Sequence, residues 1–272
     1  MRRPRNWSRA LLLIWMGLVF VFLFLPILVV IIYSFNGGRN LYVWTEFSTR
    51  WYWVAVHNPR VVNALIVSLQ AATISCAIAV CLGVPAGIAL ARRKGMWSPP
   101  FMVLLFIILG TPELVSAIGQ MIWLDRIGLY DGLLRLAVGH SLFNLAVVIL
   151  IVRARAEGLG EALEDAAADL GAVPWRAFMQ ITLPLMLPAV LASVLLSFIL
   201  SFDDVIISLF VQRPGTSTLP IQILSSFKPG LKGDVAAIVV ITLGVTLAGM
   251  LVAALMLRRS DKRGKFLGGA LN

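Results

Sequence analysis

Residues 157–184, EGLGEALEDAAADLGAVPWRAFMQITLP, decide how the rest of the chain is read. They form a long polar segment, rich in helix formers, between two strongly apolar runs. Glu157, Glu161 and Asp165 recur every four residues, with Glu164 alongside, so one face of a helix is acidic. Ala162, Ala166, Ala167 and Leu170 give it a small, shallow apolar side. Gly171 offers the left-handed position that ends a helix, and Pro174 suits the first position of a second one. The spacing predicts a helix–turn–helix held outside the membrane, with a tip of small residues that another protein can approach closely. The alternative is a solvated connector between spans.

Working outward, the surroundings of this segment are those of a membrane protein. The chain has 272 residues, 60% of them hydrophobic and 13% charged. A soluble domain carries roughly 25% charged residues, so this chain is dissolved mainly in lipid. A single transmembrane domain over 1–272, with 157–184 as its extramembrane loop, is the expected organisation. The net charge of +10 would suggest nucleic acid as the partner of a soluble protein. Here the placement of the charges in the loops carries the meaning, and no nucleic-acid partner is expected. Cys76 and Cys81 lie five residues apart in an apolar run and point in different directions on a helix, which excludes a disulfide or a metal pair. His57 and His140 are too scattered for a metal cluster, and no metal site is expected. The basic N-terminal flank resembles a signal peptide, but the apolar run after it is too long and no small-residue cleavage site follows. It reads as a retained first span.

Crossing about 30 Å of hydrocarbon takes about 20 apolar residues. Six runs meet or approach that length: 10–33, 61–91, 100–124, 137–152, 185–211 and 235–257. The predicted fold is therefore all-α and polytopic, with about six transmembrane helices. The fourth run is short. The second is about 45 Å long at 1.5 Å per residue, so it should tilt, project or bend, with Pro85 as the place to bend. With the N-terminus inside, the 23 Lys and Arg fall about two to one in favour of the inner segments. Both termini and the acidic loop are then cytoplasmic. Trp44, Phe47, Trp51, Tyr52 and Trp53 crowd the first outer loop, and the last three read as an interfacial belt. Gly83, Pro85, Gly87 and Ala89 in the second span suit close helix packing.

The 157–184 segment resembles the cytoplasmic loop signature of binding-protein-dependent ABC importer permeases: Glu-Ala-Ala, three residues, Gly, nine residues, Ile, one residue, Leu-Pro. The matching positions are Asp165, Ala166, Ala167, Gly171, Ile181, Leu183 and Pro184. Asp165 replaces the usual Glu, keeping the charge but shortening its reach, and Glu164 precedes it. The resemblance implies a type I ABC importer permease fold in a bacterial inner membrane. It also implies that Glu164, Asp165, Ala166, Ala167, Leu170, Gly171, Ile181 and Pro184 form a docking loop for ABC ATPase subunits. Further implied partners are a second permease, related but different, an extracytoplasmic solute-binding protein and membrane lipid. The chain itself has no phosphate-cradling loop: its only Gly-Lys, Gly264-Lys265, is followed by Phe266 rather than Ser or Thr. No cofactor is expected in this chain, since ATP and magnesium belong to the partner ATPase.

Three acids fall within the apolar runs: Glu113, Asp203 and Asp204. An ionisable group inside the bilayer costs several kcal/mol by most estimates, so it faces a cavity or a partner. Counted from the cytoplasmic ends, Glu113 lies about 20 Å and Asp203 about 27 Å into its span. Adjacent helical residues diverge by about 100°, so Asp203 and Asp204 cannot both face one pore, and which of them does is open. One reading is an acidic vestibule for a cation arriving from outside. The other is acids that are protonated, or bonded to Ser201, Ser208 and neighbouring helices. His140 and Asn144, one turn apart, read as a hydrogen-bonded core pair rather than substrate ligands.

The segments 33–52, YSFNGGRNLYVWTEFSTRWY, 111–119, TPELVSAIG, and 200–211, LSFDDVIISLFV, are similar to the spermidine/putrescine branch of these permeases. That resemblance implies polyamine import, with Trp44, Glu113 and Asp203 or Asp204 along the substrate path. Pro112-Glu113 stands where that branch more often has Pro-Asp, which keeps the charge and reshapes the pocket. A polyamine is an extended polycation, suited to spaced carboxylates and an aromatic face. Related branches move iron, opines, amino-acid-like amines and phosphonates. An intramembrane aspartyl protease using Glu113 and Asp203 is a distant rival, lacking the sequence motifs of such enzymes. An ion channel would leave the loop without a purpose. The expectation is a transport path, not an enzyme.

Overall fold

The computed structural model describes residues 7–39, 43–93, 95–159, 162–227 and 232–269; Glu161 lies outside them. The apolar runs become helices in chain order: α1 (Trp7–Tyr33), α2 (Arg50–Val56), α3 (Pro59–Arg92), α4 (Ser98–Gly110), α5 (Glu113–Arg126), α6 (Gly132–Leu159), α7 (Ala162–Asp169), α8 (Pro174–Ala177), α9 (Leu183–Phe202), α10 (Ile206–Val211), α11 (Leu219–Phe227) and α12 (Gly233–Gly269). Among the described residues the only β pairing is an isolated antiparallel bridge between Asn36 and Phe47. Among the described residues, five helices are long and apolar enough to cross a membrane, and six if the bent pair α4–α5 counts as one span. The fold is all-α and polytopic, as the sequence predicts.

Three runs differ from their expected form. The third is broken: α4 and α5 meet at 105° across Thr111-Pro112. Pro112 has no N–H to continue the ladder, and its ring pushes Thr111 into the extended backbone seen there, φ −70° and ψ 129°. The fifth run is also two helices, α9 ending at Phe202 and α10 starting at Ile206. Neither Glu113 nor Asp203 therefore sits inside a continuous spanning helix. The fourth run is not short: α6 has 28 residues and is the most deeply buried of the long helices. The apolar run stops short of Arg135 on one side and Arg153 on the other, whereas the helix continues through both; Arg135, His140, Ser141 and Asn144 are all buried. α3 runs unbroken through Pro85.

The chain divides into two compact units. One comprises Asn63–Gln222 with the chain from Val245 onward, and α6 is its axis, packed by α4, α5, α9 and α10. Small residues let α3 approach α6 closely: a Cβ built on Gly83 would lie 2.7 Å from Val148, and one on Gly87 2.8 Å from the Ile149 carbonyl. At the opposite end of α6 from the acidic loop, fully buried Arg135 donates to the Val211 carbonyl at 2.8 Å, the Leu129 carbonyl at 2.9 Å and Asp125 at 2.6 Å. With three of its N–H donors taken up by these acceptors, one of them a carboxylate, the charge is compensated inside.

The other unit comprises the chain up to Val62 with Ile223–Gly244. Its loop after α1 is organised by Asn36, which is fully buried. Asn36 Oδ1 accepts from the Thr45 N–H and hydroxyl, and its Nδ2 donates to the Val43 carbonyl. Trp51 Nε1 donates to the carbonyls of Asn36 and Gly38, and Tyr52 shares a 2.6 Å hydrogen bond with Ser34. Trp51 and Tyr52 thus fasten the loop from within, and Trp53 is the exposed member of the trio.

Candidate functional site

The helix breaks that interrupt the third and fifth runs bring their acids to one place. Glu113 begins α5, Asp204 lies between α9 and α10, and both line a cavity of about 370 Å³ with His140, Asn144, Ser116 and Ser201. Apolar residues Ile108, Leu109, Phe143, Leu200 and Ile207 complete the wall. Two carboxylates in a recess of mixed polar and apolar lining make a site that favours a cation.

Asp204 is held from several sides. Its Oδ1 accepts the Ser208 N–H at 2.7 Å and lies 3.2 Å from His140 Nε2, and the Asp204 side chain is 8% exposed. His140 Nδ1 lies 2.7 Å from the Ser201 hydroxyl, and its Nε2 3.0 Å from that of Ser208. Asn144, one turn on, donates to Ser75 of α3 at 3.0 Å. Glu113, by contrast, is exposed.

Of the neighbouring acids, Asp204 faces the cavity and Asp203 does not. Asp203 caps the end of α9, is exposed, and has a 3.5 Å contact with Thr246. His140 and Asn144 do make hydrogen bonds in the core, but they also line the cavity, which the sequence reading left aside. The available signal was two polar residues one turn apart on an otherwise apolar helix. Trp44 belongs to the other unit, where its ring stands edge-on to Tyr33 at 6.0 Å and is 43% exposed.

The loop at 157–184 is the second candidate site. α7 ends at Gly171, whose φ is +82°, a conformation that suits glycine. The Ala172 N–H donates to the Ala167 carbonyl and the Gly171 N–H to the Ala168 carbonyl, both at 2.9 Å. This doubly bonded pattern is the Schellman ending of a helix. Pro174 opens α8, as its fixed φ favours. The chain then passes through a π-helical turn, Phe178–Thr182, directly into α9.

Side chains on this elbow divide in two. Glu164 points inward, accepting from Arg92 at 2.9 Å and from the Thr182 hydroxyl at 2.5 Å, which ties α7 to the end of α3 and to the π turn. Ala167 is buried and Ile181 half-buried beside it. Asp165, Ala166, Gly171 and Pro184 are exposed, and Leu170 is 89% exposed at the tip, with Val173 and Trp175 also open. An exposed apolar tip of this kind is a feature that suits an interaction surface.

The sequence pattern described as binding-protein-dependent transport system inner membrane component matches residues 83–265. The chain is 33% identical over 249 residues to the spermidine/putrescine transport system permease protein PotC of Escherichia coli (strain K12), covering 92% of this chain and 94% of that protein. It is 32% identical over 257 residues to the putrescine transport system permease protein PotI of the same strain, covering 90% of each. In fold it is similar to a bacterial ABC transporter involved in the import of the acidic polysaccharide alginate, with a TM-score of 0.75 at 15% identity, covering 93% of this chain and 98% of that one.

Proposed function

The chain belongs to the family of binding-protein-dependent transport system inner membrane components, and from that premise we propose that it is the path by which a polyamine enters the cell. Its permease role follows from the family; the substrate is the proposal. The observation that carries it is the cavity, where Glu113 and Asp204 line one recess with room for a small organic amine. Two relatives bear spermidine/putrescine and putrescine in their names.

In this reading both termini and the elbow are cytoplasmic, in keeping with the excess of basic residues on that side. The elbow docks on an ABC ATPase subunit through Asp165, Ala166, Leu170 and Gly171. ATP and magnesium act on that partner, and closure of the ATPase pair drives the spans between inward- and outward-open states. Glu164 serves inside the elbow, passing its motion to α3 through Arg92. A second, related permease completes the pathway and a solute-binding protein delivers the substrate from outside.

The test is uptake of labelled putrescine and spermidine by vesicles carrying the complete transporter. ATP-dependent accumulation of either amine, abolished by Asp204→Asn, is the expected result. Accumulation unchanged by both Glu113→Gln and Asp204→Asn would remove the cavity from the path.

A further inference from the structure

Among the described residues lining the cavity, His140 is the one side chain able to carry positive charge. Both ring nitrogens meet hydroxyls, Ser201 at Nδ1 and Ser208 at Nε2, and Nε2 also reaches Asp204. A hydroxyl can accept from a ring N–H or donate to a bare ring nitrogen. The ring can therefore gain or lose its Nδ1 proton without leaving a buried polar group unsatisfied. Carbonyls in the same places would permit only one state. Asp204 keeps the Ser208 N–H whether or not the imidazole stays beside it, so the carboxylate remains in place.

We propose that His140 is the cavity's resident counter-ion, holding Asp204 while the cavity is empty and ceding that carboxylate to an ammonium group of the arriving substrate. It is a positioning residue, acting on the substrate through Asp204. The proposal rests on the reading above for the substrate's charge, not for its identity. The charged or titratable groups facing the ring are Glu113 from α5 and Asp204 from the segment after α9; α4, α9 and α10 present hydroxyls and apolar groups, and α6 adds the Asn144 amide.

The imidazole and an amine then compete for one carboxylate. His140→Gln and His140→Asn, which cannot compete for it as a cation, should lower the KM for putrescine while turnover changes less. A histidine with a purely structural role would lower turnover or assembly and leave the KM as it was.

The direct experiment uses the complete transporter in lipid nanodiscs, assembled with a separately labelled permease. The chain has two histidines, so His57→Asn leaves His140 as its single labelled ring for nuclear magnetic resonance. Asp204→Asn is expected to move the ring signals in the amine-free complex, and putrescine to move them in the same sense. Ring signals indifferent to Asp204→Asn would overturn the proposal, as would signals unmoved by putrescine that is imported, or a KM that both His140 variants leave unchanged. Vesicles that import neither putrescine nor spermidine would instead strike the polyamine reading, while the Asp204→Asn comparison would still decide whether His140 holds Asp204.

Discussion

The elbow and the cavity are built in opposite ways. The elbow is contiguous: its helix, its left-handed glycine and its proline follow one another within 157–184, and its shape comes from bonds between residues three to five apart. The cavity is assembled from α4, α5, α6, α9 and α10, and its paired groups, His140 and Asp204, lie far apart in the chain. One is a local device that a short motif can encode. The other exists because two spans break where their acids stand. Damage should differ accordingly: cavity changes should spare assembly and stop the substrate, whereas elbow changes should spare the cavity and disconnect it from the motor.

The largest effect is expected at Asp204. Asn keeps the shape of the side chain but removes the charge facing the cavity and the carboxylate that the Ser208 N–H and His140 share. Uptake by Asp204→Asn should fall on the order of 100-fold while the ATPase subunits still co-purify; uptake within a few fold of the parent would break the comparison. Next comes Gly171→Val. A side chain in the left-handed region costs about 1–2 kcal/mol, more when β-branched. Transport-coupled ATP hydrolysis should drop sharply, with Gly171→Asn milder because Asn tolerates that conformation. An unchanged coupled rate in Gly171→Val would count against the docking role.

A smaller effect is expected at Glu164→Gln. The pair with Arg92 is partly open to solvent, 17% and 33% exposed, so its loss weakens the joint by about 1 kcal/mol at most. Coupling should fall a few fold while uptake retains its KM. The smallest effect sharpens the cavity's outline: Asp203→Asn, at an exposed helix end with a 3.5 Å contact, should leave uptake within about twofold of the parent. Equal losses from Asp203→Asn and Asp204→Asn would mean that both acids line the path.

The same contrast explains how much could be read before the fold was known. Gly171 and Pro174 announced a helix end and a helix start, and both stand there. The acids announced themselves by being charged in apolar runs. Their arrangement did not, because it depends on the breaks. Pro112 marked the first break in plain view, yet the apolar run on either side masked it. The second, at 203–205, has no proline or glycine at all; Asp203 caps α9, and Asp204 accepts the Ser208 N–H of α10. α6 was under-measured for a related reason. Arg135, His140 and Asn144 look unfit for a buried helix until partners from α3, α5, α9 and α10 are counted. Glu164 carries a similar lesson: its charge suggested an outward face, while Arg92, remote in sequence, turns it inward.

The grip of the elbow on a separate motor is tested most directly at Leu170. That side chain is 89% exposed, so Leu170→Asp should leave the fold of the permease intact. The measurement is the amount of ATPase subunit that co-purifies with the Leu170→Asp permease, set beside Asp204→Asn. Loss of the ATPase from the first and its full retention by the second is the predicted result. Equal retention by both would contradict the account.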